Sequence, residues 1–140
     1  RGAGDPGRSV QDREQAELVL KHVTAPCLDL VGRTDLRYLA ALVRKADMVV
    51  SGDSAPMHIA WAFDKPTVAI FGATAPELGF APLSRRCLVV QVPGLECRPC
   101  SAHGPQSCPL DHFRCMNEIT VQMVLEACAE ALKMAAARPV

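Results

Sequence analysis

The most constraining feature of the sequence is a regular alternation of helical and strand-like segments over residues 9–92. Apolar residues at helical spacing predict helices that begin after Ser9, at Leu36 and after Ser54. Short apolar or β-branched runs predict strands at 27–31, 47–51, 67–71 and 87–92. A chain that alternates helix and strand through short connections folds as an α/β domain with a parallel sheet.

The last part of the chain follows a different pattern. Residues 93–118 show little periodicity and contain four of the seven cysteines. Thr120 is predicted to cap a final helix, whose apolar positions predict the face that packs on the sheet: Val121, Val124, Leu125, Cys128 and Leu132. We therefore predict one domain over 1–140, with a cysteine-rich loop at 93–118 inserted before the last helix.

Net charge and hydropathy argue against two kinds of partner, a nucleic acid and a membrane that the chain would span. Lysine plus arginine and aspartate plus glutamate both number 15, so the chain has no overall basic excess to hold a nucleic acid. No window approaches the roughly 18–20 apolar residues of a membrane span, and the polar start lacks a signal-peptide pattern. We expect a cytoplasmic protein with at most peripheral membrane contact. Because the chain begins at Arg1 rather than Met, we also expect a fragment of a longer protein.

The segment VSGDSAPMHIA at 50–60 places an acid, a hydroxyl and a histidine between a strand and a helix. Ligands of open parallel sheets bind at the carboxyl ends of strands, and a helix N-terminus offers N–H groups suited to phosphate. Ser54 can cap the helix or donate to a ligand, and His58 lies one turn further on. Asp53 would repel an anion, so it fits hydrogen bonds from sugar hydroxyls better. These residues alone leave a capped helix and an anion-binding site both open.

Several motifs, in order along the chain, resemble the C-terminal domain of glycosyltransferase family nine, the ADP-heptose:lipopolysaccharide heptosyltransferases. They are the turn GRTDL at 32–36, the junction GDSAPMH at 52–58 and the segment from Pro66 to Pro76. The resemblance extends to GAGDPGRSVQDREQAE near the start and to CPLDHFRCMNEIT near the end. TAPELGFAPLS is closest to the heptosyltransferase II branch.

The resemblance implies the Rossmann-like, C-terminal half of a two-domain GT-B glycosyltransferase, which binds the ADP-sugar. It implies donor-binding roles for Asp53, Ser54, Ala55 and His58 at the diphosphate and heptose, for Thr34 near the nucleoside, and for Asp12 or Glu14 at the adenosine ribose. Two positions depart from the usual family pattern. Ala55 stands in place of glycine, and Ala75 stands in place of a common aspartate.

The reaction that the resemblance implies is inverting transfer of heptose from ADP-heptose to a lipopolysaccharide inner-core acceptor, at the inner face of the inner membrane. The acceptor, a lipid-linked saccharide, and the catalytic base belong to the N-terminal half, so we predict that 1–140 alone is inactive. No cofactor is required for this catalysis. Two other classes stay open: a stand-alone nucleotide-sugar-binding module without catalysis, and a zinc-stabilised interaction domain.

The cysteine-rich loop has the pattern C-x2-C-x7-C-x6-C, formed by Cys97, Cys100, Cys108 and Cys115. C-x2-C is the spacing of zinc knuckles, and four thiolates can close a tetrahedral site. A metal can supply folding energy to a segment without a core, so we predict structural zinc. A disulfide pair, an iron–sulfur cluster and four unligated thiols stay open as alternatives. The other cysteines lie in apolar segments and are predicted to be buried thiols: Cys27, Cys87 and Cys128.

Overall fold

The structure, a computed structural model, describes residues 6–79, 84–105 and 107–136, without the side chains of 6–9 and 11. The first residues of the family-like opening segment and part of TAPELGFAPLS therefore lie outside the described residues. The described residues divide into two compact units, with the boundary between Leu39 and Ala40. The single domain over 1–140 stays a prediction.

Between Leu36 and Ile70, helices and strands alternate as the sequence predicts. The elements are α1 (Pro6–Leu20), α2 (Leu36–Lys45), β1 (Val49–Gly52), α3 (Ala55–Ala62), β2 (Thr67–Ile70), β3 (Cys87–Val90), α4 (Arg114–Asn117) and α5 (Val121–Ala136), with a 3-10 turn at Pro76–Leu78. The strands form one parallel sheet in the order β1-β2-β3, with Thr67 between Val49 and Cys87 in register. The predicted α/β class with a parallel sheet is confirmed.

Helices α3 and α5 cover opposite faces of this sheet. Ala69 and Phe71 are fully buried with Met57 of α3. Val68 packs with Val90 and with Ala131 of α5, and these three residues form a second buried cluster. Because successive strand residues point to opposite faces, the two clusters lie on the two sides of β2. Each large apolar side chain that is fully buried here contributes about 1.5–3 kcal/mol.

The first unit differs from its prediction at 27–31, which is not a strand. Within the described residues this segment has no ladder partner, and side chains bind its backbone instead. The Val31 N–H donates to Asp29 at 3.0 Å, and the Arg13 guanidinium of α1 contacts both Asp29 and the Val31 carbonyl. The Val31 N–H, and then Arg13, hold the pKa of the Asp29 carboxyl below its usual value. Helix α1 also begins at Pro6, before the predicted cap at Ser9.

The last helix is capped as predicted, but its packing face is different. Thr120 Oγ1 accepts the Met123 N–H at 3.2 Å. The residues that contact the Val68 cluster are Met123, Val124, Ala127, Cys128 and Ala131. Val121, Leu125 and Leu132 are exposed, so these three assignments are wrong. The small Ala131 lets the helix approach the sheet closely, which a pattern of large apolar residues does not reveal. Among the described residues, no helix has the length and apolar character needed to cross a membrane.

Candidate functional site

The polar junction at 52–58 lies where the sequence places it, between β1 and α3. Strand β1 ends at Gly52, and α3 begins at Ala55 with Ser54 as the residue that precedes it. Asp53 and Ser54 therefore lie at the carboxyl end of a strand in a parallel sheet. This is the edge at which open α/β sheets bind their ligands.

Burial divides the junction into an anchored side and an open side. Met57 and Ala60, on the buried face of α3, are 0% exposed. Ser54, Ala55 and His58 are exposed, and Asp53 is half-buried. The apolar residues thus hold the first turn of the helix against the sheet, and the polar residues are left facing outward. That division gives a ligand access to the polar side chains without loss of the core.

Ser54 precedes α3 in extended backbone, but its side chain does not cap the helix as predicted. Its hydroxyl donates to the Gly52 carbonyl at 3.3 Å and lies 3.1 Å from the Ser51 hydroxyl, so it turns back toward the strand. The Met57 N–H donates to the Ser54 carbonyl at 3.1 Å. No acidic residue occupies the first turn of α3. Within the first turn of α3, therefore, no acid offsets the partial positive charge of the helix N-terminus, and the nearest acid in sequence is Asp53, two residues before the helix.

The other predicted donor-binding residues belong to the first unit. Asp12 and Glu14 are exposed on α1, and Thr34 is half-buried in the turn before α2. Asp35 accepts the Tyr38 N–H at 2.7 Å and so caps α2. Arg13, which lies between Asp12 and Glu14, was not predicted from the sequence, although its contacts organise the segment that follows α1. The sequence feature that pointed to such a partner was Asp29, an acid in an otherwise apolar run.

A second polar contact at the carboxyl edge of the sheet was also missed. Arg98 donates to the Thr74 carbonyl at 2.7 Å, to the Val92 carbonyl at 3.0 Å and to Gln91 Oε1 at 3.0 Å. It thereby joins the loops that follow β2 and β3. The signal was present in the sequence, since Arg98 is the only lysine or arginine between residues 87 and 113. Arg98 Nε is buried and has no hydrogen-bond partner among the described residues.

The four cysteines of the cysteine-rich loop lie around one cavity. The cavity has a volume of about 270 Å³, and its lining includes Cys97, Cys100, Cys108 and Cys115. Cys115 is buried and the other three are half-buried, and all four are free thiols. Across the described ranges, no three or more histidine, cysteine or acidic side chains already form a group that could hold a metal ion. The thiols therefore share a cavity without forming a coordination shell.

The surroundings of these thiols differ in their effect on the pKa. Burial raises the pKa of Cys100, and so does the negative charge of the other three thiolates, while Arg98 opposes the rise. The backbone N–H groups of Phe113, Leu110 and His112 lower the pKa of Cys108. Positive φ angles at Asp111 and Phe113 bend the chain around that sulfur.

The three other cysteines are less uniform than predicted. Cys27 is exposed, so its assignment as a buried thiol is wrong: the strand that would have buried it does not form. Cys87 and Cys128 are half-buried, and burial raises the pKa of Cys87. Cys27 and Cys128 do not line the cavity of the cysteine-rich loop.

A parallel sheet with an uncapped polar helix start at its carboxyl edge is typical of α/β domains that bind phosphate-containing ligands. Comparison with known proteins gives the family. Residues 6–109 match the family model described as "Glycosyltransferase family 9 (heptosyltransferase)", and the chain belongs to that family.

Known relatives and a solved structure agree with this family. The chain is 29% identical over 115 residues to "Lipooligosaccharide heptosyltransferase 2" of Campylobacter jejuni serotype O:2, covering 82% of this chain and 35% of that protein. It is 31% identical over 88 residues to "Lipopolysaccharide heptosyltransferase 2" of Salmonella typhimurium, covering 60% and 25%. It resembles the solved structure of E. coli ADP-heptose lps heptosyltransferase II with a TM-score of 0.70 and 27% identity, covering 91% of this chain and 35% of that chain. The chain thus spans 35% or less of the length of these relatives.

Proposed function

We propose that this chain is the donor-binding part of an inverting glycosyltransferase, which transfers heptose from ADP-heptose to a lipopolysaccharide inner-core acceptor. The observation that supports it is the uncapped, outward-facing junction at 52–58, at the carboxyl end of β1. The family and the names of the relatives supply the class of donor and acceptor. On this proposal the protein works in the cytoplasm, next to the membrane that holds the lipid-linked acceptor.

The junction offers different groups to the two parts of an ADP-sugar. The backbone N–H groups at the start of α3 and the exposed His58 ring are suited to the diphosphate, because both donate hydrogen bonds to an anion. The Asp53 carboxylate is an acceptor and repels phosphate, so we assign it to sugar hydroxyls. Thr34, Asp12 and Glu14 stay predictions for the nucleoside, carried by the resemblance alone.

In the transfer step, negative charge grows on the departing diphosphate as the acceptor hydroxyl attacks the anomeric carbon. Donors held rigidly at a helix N-terminus stabilise that charge. The rigidity comes from Met57 and Ala60, which fix α3 on the sheet. We assign no catalytic base to this chain, since the resemblance places the base in the N-terminal half. We propose that no cofactor is required for this transfer.

The test is calorimetry of the full-length protein that contains this chain, with ADP and with an ADP-sugar as separate ligands. His58→Ala should weaken both ligands about tenfold or more, because it removes a donor to the shared diphosphate, and tenfold corresponds to about 1.4 kcal/mol. Asp53→Asn should weaken only the ADP-sugar. It should leave ADP binding unchanged or stronger, because the negative charge beside the diphosphate is lost.

The matched control is Asp47→Asn, an exposed acid just before the amino end of β1, at the opposite edge of the sheet. It should change neither affinity. If both ligands bind the His58 and Asp53 variants as tightly as the parent, the junction is not the donor site. If ADP binds at the junction but no sugar is transferred by the full-length protein, the chain is a nucleotide-sugar-binding module instead.

A further inference from the structure

The cysteine-rich segment, residues 93–118, has little apolar material with which to hold its shape. Cys115 is the one buried side chain among its described residues. Its four prolines are all exposed. A segment without an apolar core needs another source of order, and bound metal is a common one in small folded units.

The four cysteines of this segment line one cavity, as the ligands of a single metal ion must. They approach the 270 Å³ cavity as two pairs, with Cys97 and Cys100 on one turn and with Cys108 and Cys115 on a second turn and the start of α4. Two pairs of thiols from two turns are the usual frame of a tetrahedral sulfur site. We propose that these four cysteines bind one Zn²⁺ as a structural site.

The neighbouring His112 is better suited to a supporting role than to ligation. Its Nδ1 accepts the Arg114 N–H at 3.1 Å and lies 4.0 Å from Cys108 Sγ. A ring nitrogen already engaged by the backbone is not free for a metal. Four sulfur ligands fill a tetrahedral zinc shell, so no histidine is needed.

The four thiols line the cavity without forming a coordination shell. Binding therefore requires rotation of the cysteine side chains about χ1 into the shared cavity. Arg98 lies near Cys100, so its positive charge offsets part of the negative charge that zinc leaves on four thiolates. Arg114 lies near Cys97 but also pairs with Glu118.

The consequence of a bound metal reaches the edge of the sheet that carries the junction. The Cys100 N–H donates to the Ala73 carbonyl at 3.0 Å, and Arg98 binds the Thr74 carbonyl. Met116 of α4 lies so close to Gly72 that a Cβ there would overlap its side chain. Both ends of the cysteine segment therefore hold residues 72–75, the loop that follows β2. The metal would order this loop by fixing both ends at once.

The test starts with metal analysis of the full-length protein, purified under reducing conditions without chelator. We expect about one zinc per chain, and modification of four thiols with a mercurial reagent should release it. After exchange, cobalt should give the intense absorption bands of a tetrahedral tetrathiolate site. Less than about 0.2 equivalents of zinc, with no uptake of added zinc or cobalt, would overturn the proposal. Iron with acid-labile sulfide, or disulfides among these cysteines, would overturn it as well.

Single serine variants assign the ligands. Cys97→Ser, Cys100→Ser, Cys108→Ser and Cys115→Ser should each lose most of the bound zinc. Cys27→Ser is the matched control, because Cys27 is a free thiol outside the cavity, and it should keep the zinc. Equal loss in the control variant would count against the site. The mercurial titration uses the parent protein, so it decides the stoichiometry even where a serine variant does not fold.

Hydrogen exchange of the parent protein tests the effect on the loop. Removal of zinc should speed exchange of the Cys100 N–H, which bonds to Ala73. The Phe71 N–H is the internal control, since it bonds to Val90 in the sheet at 3.0 Å and should keep its protection. Unchanged exchange at Cys100 would show that the metal does not order the loop. These measurements involve no nucleotide, so they succeed or fail independently of donor binding.

Discussion

The junction at 52–58 and the cysteine-rich segment at 93–118 lie in the same compact unit but are stabilised differently. The junction is anchored from below by the fully buried Met57 and Ala60. The cysteine-rich segment has one buried side chain in its described part and depends on hydrogen bonds, chiefly those of Arg98. Apolar residues that anchor a helix recur with the helical period, so they leave a recognisable pattern in the sequence. A polar side chain that joins two distant loops has no such period, so its role is hard to recognise from the sequence.

The largest expected effect comes from removal of the apolar anchor. Met57→Ala should lower the free energy of unfolding by about 2–5 kcal/mol, because it opens a cavity beside Ala69 and Phe71. Urea unfolding followed by circular dichroism measures the change. Leu125→Ala is the control: this side chain is 56% exposed, and the loss should stay within about 0.5 kcal/mol. Equal losses would contradict burial as the force that holds the junction.

In the cysteine-rich segment, the corresponding substitution is Arg98→Ala, which removes the polar anchor. It leaves the carbonyls of Thr74 and Val92 without their donor, so we expect a loss of about 1–3 kcal/mol in the free energy of unfolding. Arg98→Lys should recover little, because an ammonium lacks the planar fork that reaches several acceptors. Arg85→Ala, at an exposed arginine, is the matched control in the same denaturation assay. A loss no larger than that of the control would remove Arg98 as the anchor.

The contact of Gly72 with Met116 tests whether the cysteine-rich segment is coupled to β2. Gly72→Ala should cost about 1 kcal/mol, the low end for an overpacked site, because the flexible methionine can shift. In a Met116→Ala background the same change should cost less, since the overlapping side chain is gone. A double-mutant cycle by urea unfolding gives the coupling energy. If the two losses in the free energy of unfolding are strictly additive, Gly72 and Met116 are not energetically coupled.

The smallest expected effect sharpens the role of Ser54. Its hydroxyl bonds to Gly52 and does not cap α3, so Ser54→Ala should change the free energy of unfolding by no more than about 0.5 kcal/mol. Thr120→Ala removes a hydroxyl that does cap a helix, and should cost about 0.5–2 kcal/mol. Thermal unfolding of both variants makes the comparison. If Ser54→Ala lowers the free energy of unfolding more than Thr120→Ala does, the Ser54 side chain caps α3 after all.

Prediction from the sequence succeeded where local pattern and burial agree. The strands at 47–51, 67–71 and 87–92, the helix start after Ser54 and the cap at Thr120 were all predicted within a few residues. The donor-binding roles and the zinc site stay predictions. Their chemistry was nonetheless visible as residue types at fixed spacing.

The failures share one physical cause. The strand at 27–31 needed a hydrogen-bonding partner, and within the described residues side chains bind that backbone instead. The face of α5 was misassigned because close approach favours small residues such as Ala131 over Leu125 and Leu132. Arg98 was overlooked because its acceptors are carbonyls up to 24 residues away. Each depends on which segments become neighbours, and single-residue preferences do not encode that.

The sequence by itself determined the alternation of elements from α2 to β2, the parallel class of the sheet and the polar junction between β1 and α3. These follow from periodicity and from the backbone preferences of each residue, which act over a few positions. Only the tertiary structure decided that Ser54 turns back toward Gly52, that Arg98 joins the loops after β2 and β3, and that four cysteines line one cavity. The contacts of Arg98 and the grouping of the cysteines depend on which distant segments of the chain become neighbours, and that is decided only when the chain folds.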